Sequence, residues 1–164
     1  MSEVKLSEEE WPPEKKWKAT GRTRCWYMAE LERAVYERFG EAGLKVIKQV
    51  WRKGAENFFL RGLKSFNIEG NDAKTFVSYF KLAQEIMGYK MEIVEASSKK
   101  AILRYHTCHF FENPDPIAAK LCSEGHFEFE KRAAELLNHK LKVKFEKLRS
   151  AGDPYCEMVV ELEE

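Results

Sequence analysis

Cys122 and His126 stand four residues apart as a C-x-x-x-H pair, and on a helix that spacing puts both side chains on one face. A sulfur and an imidazole so placed can point at a common atom. Cys108 precedes the pair, flanked by His106 and His109, and Cys156 lies near the C-terminal end. Three soft sulfurs and one imidazole, from Cys108, Cys122, His126 and Cys156, suit a tetrahedral zinc ion. No CxxC pair is present, so two other readings stay open. One is a cysteine nucleophile, Cys108 or Cys122, with His126 or His109 as base; it requires a partly exposed thiolate of lowered pKa. The other is a set of buried core thiols, since free cysteine is among the most buried residue types.

Other chemistries have less support. The chain lacks GxGxxG, GxxxxGK[ST] and GxSxG, which removes dinucleotide, phosphate-loop and serine-hydrolase readings. Glu124, Glu128 and Glu130 sit on an alternating charged helix, where carboxylates are ordinarily solvated rather than catalytic. The 28 basic and 27 acidic side chains leave a formal net charge of +1, so no general basic field attracts nucleic acid. The Lys140–Lys147 run alternates lysine with apolar residues, as a half-exposed strand does.

The elements that must position these residues read as one body. At 164 residues the chain is within the size of a single domain with its own core. Hydrophobic residues at 44% and charged residues at 34% describe a globular chain, with no apolar run of the roughly 18 residues that span a bilayer. The N-terminal stretch has no apolar segment of the kind that marks a secretory signal. Reduced thiols and a cytoplasmic location follow as the expectation.

Residues 1–21 are polar, interrupted by Pro12-Pro13 and Gly21, and read as an arm before a single domain over residues 22–164. A first helix is predicted from about Arg24 to Phe39, with Met28, Leu31, Val35 and Phe39 on one face and Gly40 closing it. A second is predicted over Glu41 to Phe66, with Gly54 and Gly62 inside it, each costing about 1 kcal/mol against alanine. Asp72 caps a third, running to Met87. At Gly88 the apolar period changes from helical to alternating, which predicts a hairpin from Tyr89 to Tyr105. A loop carrying Cys108 leads to Pro116, the start of a fourth helix that holds Cys122 and His126. A second hairpin closes the chain from Lys140 to Leu162. That order predicts an α+β fold, with N-terminal helices and one later helix packed on a four-stranded antiparallel sheet.

The segments YHTCHFFENPDP, LCSEGHFEFEK and GDPYCEMVVEL, with YERFGEAGLKVIKQVWRKGAENF in the helical half, resemble the L-2-amino-thiazoline-4-carboxylic acid hydrolase-like family. More remotely, they are similar to the four-vinyl-reductase domain of small-molecule sensors. The G-D-x-x-C of Gly152, Asp153 and Cys156 carries most of the likeness. The first resemblance implies opening of a small cyclic C–N or C–S compound, by a cysteine nucleophile or a metal-bound water. The second implies a pocket for hydrophobic or aromatic effectors and, in some members, zinc held by cysteines. Cys122 and Cys156 match cysteines of those patterns. A further cysteine of the sensor pattern falls at Leu148 here, so that zinc set does not transfer whole. The favoured expectation is a small-molecule-binding domain for a hydrophobic or heterocyclic ligand, with zinc on the four residues named above. A hydrolase is the alternative. Neither nucleic acid nor membrane is an expected partner, and the apolar helical faces admit a homodimer.

Overall fold

The computed structural model describes residues 11–163. Of the arm expected over residues 1–21, residues 1–10 lie outside this range, and from Pro13 onward the chain is helical. Helix α1 (Pro13–Ser65) is broken at Gly40, whose φ of 55° and ψ of −133° are not helical. An unbroken helix would hold Glu32 and Trp51, 19 positions apart, about 28 Å from each other. Their side chains instead meet, with Trp51 Nε1 donating to Glu32 Oε1 at 2.8 Å. The chain therefore doubles back at Gly40, and α1 is a helical hairpin of two limbs with almost no loop. Glycine supplies the positive φ that the reversal needs. Gly43 completes it, because a Cβ there would lie 2.7 Å from the Val35 carbonyl oxygen.

The first limb begins eleven residues before the expected Arg24. Pro13 occupies the first turn, where a missing N–H costs nothing, and Trp17 Nε1 donates to the Ile86 carbonyl at 2.6 Å. The second limb keeps both interior glycines, Gly62 as a close-approach point and Gly54 in ordinary contact with its neighbour. The ring of Phe129 lies 3.5 Å from where a Gly54 Cβ would be, and the ring of Tyr79 lies 2.6 Å from that of Gly62.

Helix α2 (Ala73–Ile86) starts at Asp72, whose carboxylate accepts from the Thr75 N–H at 2.8 Å. Its inner face presents Phe76, Tyr79 and Phe80 to Phe59 of α1, with Phe59–Tyr79 and Phe76–Phe80 centroids each 4.7 Å apart. Strands β1 (Met91–Ala96) and β2 (Lys100–Tyr105) form the first expected hairpin, and β3 (Leu141–Lys147) and β4 (Cys156–Leu162) the second. The two hairpins join through β2 and β4 in an all-antiparallel sheet of order β1-β2-β4-β3. Ala101, Leu103, Met158 and Val160 lie buried in one core with α2 and the second limb of α1.

Between the hairpins a helical rod crosses α1. It consists of α3 (Pro116–Lys120), a π-helical turn over Leu121–His126, and α4 (Phe127–Leu137). Asp115 caps it by accepting from the Ala118 N–H at 2.8 Å, and also binds Arg33 of α1 at 2.6 Å. The α+β architecture expected from the sequence is the one observed. Among the described residues, no helix is long and apolar enough to cross a membrane.

Candidate functional site

The π-helical turn decides where the C-x-x-x-H pair points. The Phe127 N–H reaches back five residues to the Cys122 carbonyl, so the turn is wider than an α-turn. Gly125 lets it press on α1, since a Cβ there would be 3.1 Å from Ile47 Cγ2. Cys122 and His126 still face the same hollow, along with Cys108 from the loop after β2 and Cys156 from the start of β4. All four residues expected to form a cluster thus line one cavity of about 130 Å³ between α1, the rod and the sheet.

Its walls are mainly aromatic: Trp51 from α1, Tyr105 from β2, Phe110 from the loop, Phe127 and Phe129 from α4, and Phe145 from β3. Larger hollows of about 500 and 680 Å³ lie along the first limb of α1, near Trp11, Lys18 and Gly88. Those are solvent-open grooves and gather no set of thiols, so the smaller cavity is the better candidate.

The four cluster residues differ in what they are free to do. His126 is buried and its Nε2 meets the carboxylate of Glu32 on the first limb. The other Glu32 oxygen receives the Trp51 N–H. Trp51 and Phe110 each place a ring centroid 4.5 Å from that of His126. The imidazole is therefore held on one nitrogen by Glu32 and packed between a tilted indole and the edge-on contact with Phe110. Cys108 Sγ accepts from the Phe111 N–H at 3.4 Å, and Cys156 Sγ from the Arg149 N–H at 3.3 Å. Burial pushes all three thiols up: Cys108 above its ordinary value, Cys122 well above, and Cys156 to about 11. At neutral pH they carry their protons.

Among the described residues, no group of three or more His, Cys, Asp or Glu side chains is arranged to hold a metal ion. Zinc on the four named residues would need the thiols deprotonated and would have to take His126 through Nδ1, since Glu32 holds Nε2, so the side chains as placed do not present a ready ligand set. The other candidates lie elsewhere. His106 Nε2 pairs with Glu92 at 2.8 Å, His109 meets Tyr89 edge-on with centroids 4.5 Å apart, and Cys25 is buried beneath the Tyr89 hydroxyl.

Sequence reasoning passed over Glu32 and Gln84, and read Glu130, with Glu124 and Glu128, as a solvated helix carboxylate. Glu124 and Glu128 behave as expected of surface carboxylates, pairing with Lys48 and Arg52 respectively. Glu130 does not. It lines the cavity, and its Oε2 is shut off from solvent with no hydrogen-bond partner, as is Gln84 Oε1. Burial raises the Glu130 carboxyl to about 8, only partly opposed by its own backbone N–H and by Lys131. The residue as a whole is half-buried, but that enclosed oxygen sets the electrostatics. A signal was available: Glu130 continues the four-residue step from Cys122 through His126 along the rod.

No family profile matches the chain, and no curated protein does. Solved structures do match. One is the crystal structure of a trafficking protein particle complex subunit 3 from Naegleria fowleri, covalently bound to palmitic acid. It superposes with a TM-score of 0.67 over 90% of this chain and 97% of that one, at 16% sequence identity. A likeness at that identity establishes the shared fold.

Proposed function

We propose that this chain is a small-molecule-binding domain whose cavity between α1, the rod and the sheet takes a compact apolar or heterocyclic guest. The observation that carries the reading is the cavity itself: walled by aromatic rings, floored by three protonated thiols, and holding two oxygens without partners. Buried polar atoms without partners are uncommon in folded proteins and call for an explanation. A bound molecule is one.

Size narrows the guest. The volume of about 130 Å³ is close to the roughly 150 Å³ of an apolar cavity that accepts benzene. It falls below the approximately 300 Å³ at which sites for drug-sized ligands begin. One ring or a short branched chain fits. The palmitic acid on the trafficking subunit offers a precedent for this fold carrying an apolar guest, although a chain of that length needs a wider cavity than this one.

Calorimetric titration with toluene tests the reading. Binding is expected in the full chain, with a rise in melting temperature that grows with toluene concentration. Cys122→Leu, which puts bulk into the cavity, is expected to weaken binding by roughly tenfold or more. No heat and no thermal shift at saturating toluene would sink the proposal.

Zinc held by Cys108, Cys122, Cys156 and His126, with Glu32 keeping the imidazole oriented through Nε2, is a second reading, favoured by the three thiols sharing one cavity. Metal analysis of protein purified without added metal decides it. About one zinc per chain, lost together with melting temperature on chelation, supports it, and a metal-free, fully stable chain excludes it. Hydrolysis has less support, since nucleophilic attack requires a thiolate and burial keeps these thiols protonated. We place the protein in the cytoplasm, where four free thiols stay reduced. Trp26, Tyr27, Leu31 and Phe39, all more than half exposed on the first limb, support pairing with a second copy, which sedimentation at micromolar concentration would read.

A further inference from the structure

The two orphan oxygens specify more than size. Gln84 Oε1 is an acceptor, and Glu130 Oε2 becomes one when its carboxyl ionises, so a guest that satisfies both at once is a donor. No lysine or arginine lines the cavity. The two tyrosine hydroxyls of the lining are engaged elsewhere, with Tyr89 Oη donating to Cys25 Sγ and Tyr105 Oη to Met158 Sδ, each at 3.8 Å. His126 is committed to Glu32. The one carboxyl group among the lining residues therefore has no counter-charge within the cavity, while the surrounding rings offer negative π-faces to a cation.

We propose that the natural guest is a small primary amine with a one-ring or short branched apolar body, its ammonium group held between Glu130 and Gln84 and its body among Phe110, Phe127 and Phe145. This rests on the cavity binding a guest at all. An ammonium supplies three donors, enough for both oxygens with one left for a ring face. Its charge also compensates the cost of ionising a buried carboxyl. In the empty protein Glu130 keeps its proton, because burial lifts it to about 8. On binding, that proton passes to solvent and the carboxylate remains with the ammonium. A carboxylate guest is disfavoured by the same arrangement, since it meets the Gln84 oxygen as acceptor against acceptor and finds no cationic side chain among the lining residues.

The test compares benzylamine, benzyl alcohol, benzoate and toluene by calorimetry on the full chain. Benzylamine is expected to bind tightest, about 10- to 100-fold better than toluene, the range of a charge-assisted hydrogen bond. Benzoate is expected to bind worst. Glu130→Gln, which keeps the shape, is expected to remove most of the advantage of benzylamine while leaving toluene unchanged, and Gln84→Met to reduce it by a smaller factor. If Glu130→Gln fails to fold, the ranking on the native chain and the Gln84→Met comparison still decide. Benzyl alcohol or toluene binding as well as benzylamine would overturn the amine assignment and leave the apolar cavity standing. Tightest binding of benzoate would overturn it as well. Failure of all four compounds would remove the cavity reading and this assignment together.

Discussion

Replacing Glu32 by alanine is expected to lower the unfolding free energy by about 3–5 kcal/mol, the loss typical of breaking a buried pair from one side. Glu32 and His126 are each only 9% exposed, so solvent cannot easily replace the lost acceptor. Two donors are stranded: the Trp51 N–H that gave to Oε1 at 2.8 Å, and the His126 nitrogen that met Oε2. At about 1–3 kcal/mol for each orphaned buried donor, the two estimates agree. The pair also ties three elements at one point, since Glu32 is on the first limb of α1, Trp51 on the second, and His126 on the π-helical turn. Glu32→Gln retains an oxygen acceptor and is expected to recover about half of the loss. Urea denaturation of the two variants measures both values. A Glu32→Ala cost below about 1 kcal/mol, the range of an exposed ion pair, would show that the pair does not hold the hairpin to the rod.

Glu130 produces the other large effect, and its sign is opposite to that of a paired surface carboxylate. Its folded pKa of about 8 stands above the ordinary 4.5 because burial disfavours the charged form. Below pH 4.5 the group is protonated in folded and unfolded chains alike and costs nothing. Between pH 4.5 and 8 the unfolded chain gives up the proton more readily, so stability falls as pH rises. Above pH 8 the penalty levels off, at up to about 5 kcal/mol for a shift of this size. Glu130→Gln cannot ionise. The variant is expected to match the native chain within about 1 kcal/mol at pH 4.5. At pH 8.5 it should exceed it by several kcal/mol, as read by denaturant melts across the range. The comparison isolates Glu130, because the thiols and tyrosines that share its cavity are unchanged between the two proteins. Parallel stability curves would show that the carboxyl is solvated after all.

How much of this was legible in the sequence depended on whether the signal was local. The change of apolar period at Gly88 placed the first hairpin, and the strict alternation after Lys140 placed the second. Gly40 was readable as a helix end, and the chain does leave the helix there. The start of α1 was not readable, because Pro12-Pro13 look like breakers and the polar stretch that follows has no apolar stripe. What holds that turn is distant in sequence: Trp17 on the Ile86 carbonyl, and Arg22 on Glu112 at 2.6 Å.

The candidate site divides along the same line. That Cys108, Cys122, His126 and Cys156 line one cavity is in keeping with one helix placed over a sheet whose last strand opens at Cys156. What His126 does there did not follow, because its partner Glu32 is 94 positions away. Nor does anything in Leu121–His126 announce a π-helical turn; its shape comes from Gly125 closing on Ile47. Glu130 looked like one of three ordinary helix carboxylates. Only burial separates it from Glu124 and Glu128, which find lysine and arginine partners at the surface.

A crystal of the full chain grown with toluene would test the central claim most directly. The account expects density for one ring inside the cavity, against Phe110, Phe145 and Cys122, with the backbone otherwise unchanged. A cavity filled by its own side chains, or holding no ring at saturating toluene, would contradict it.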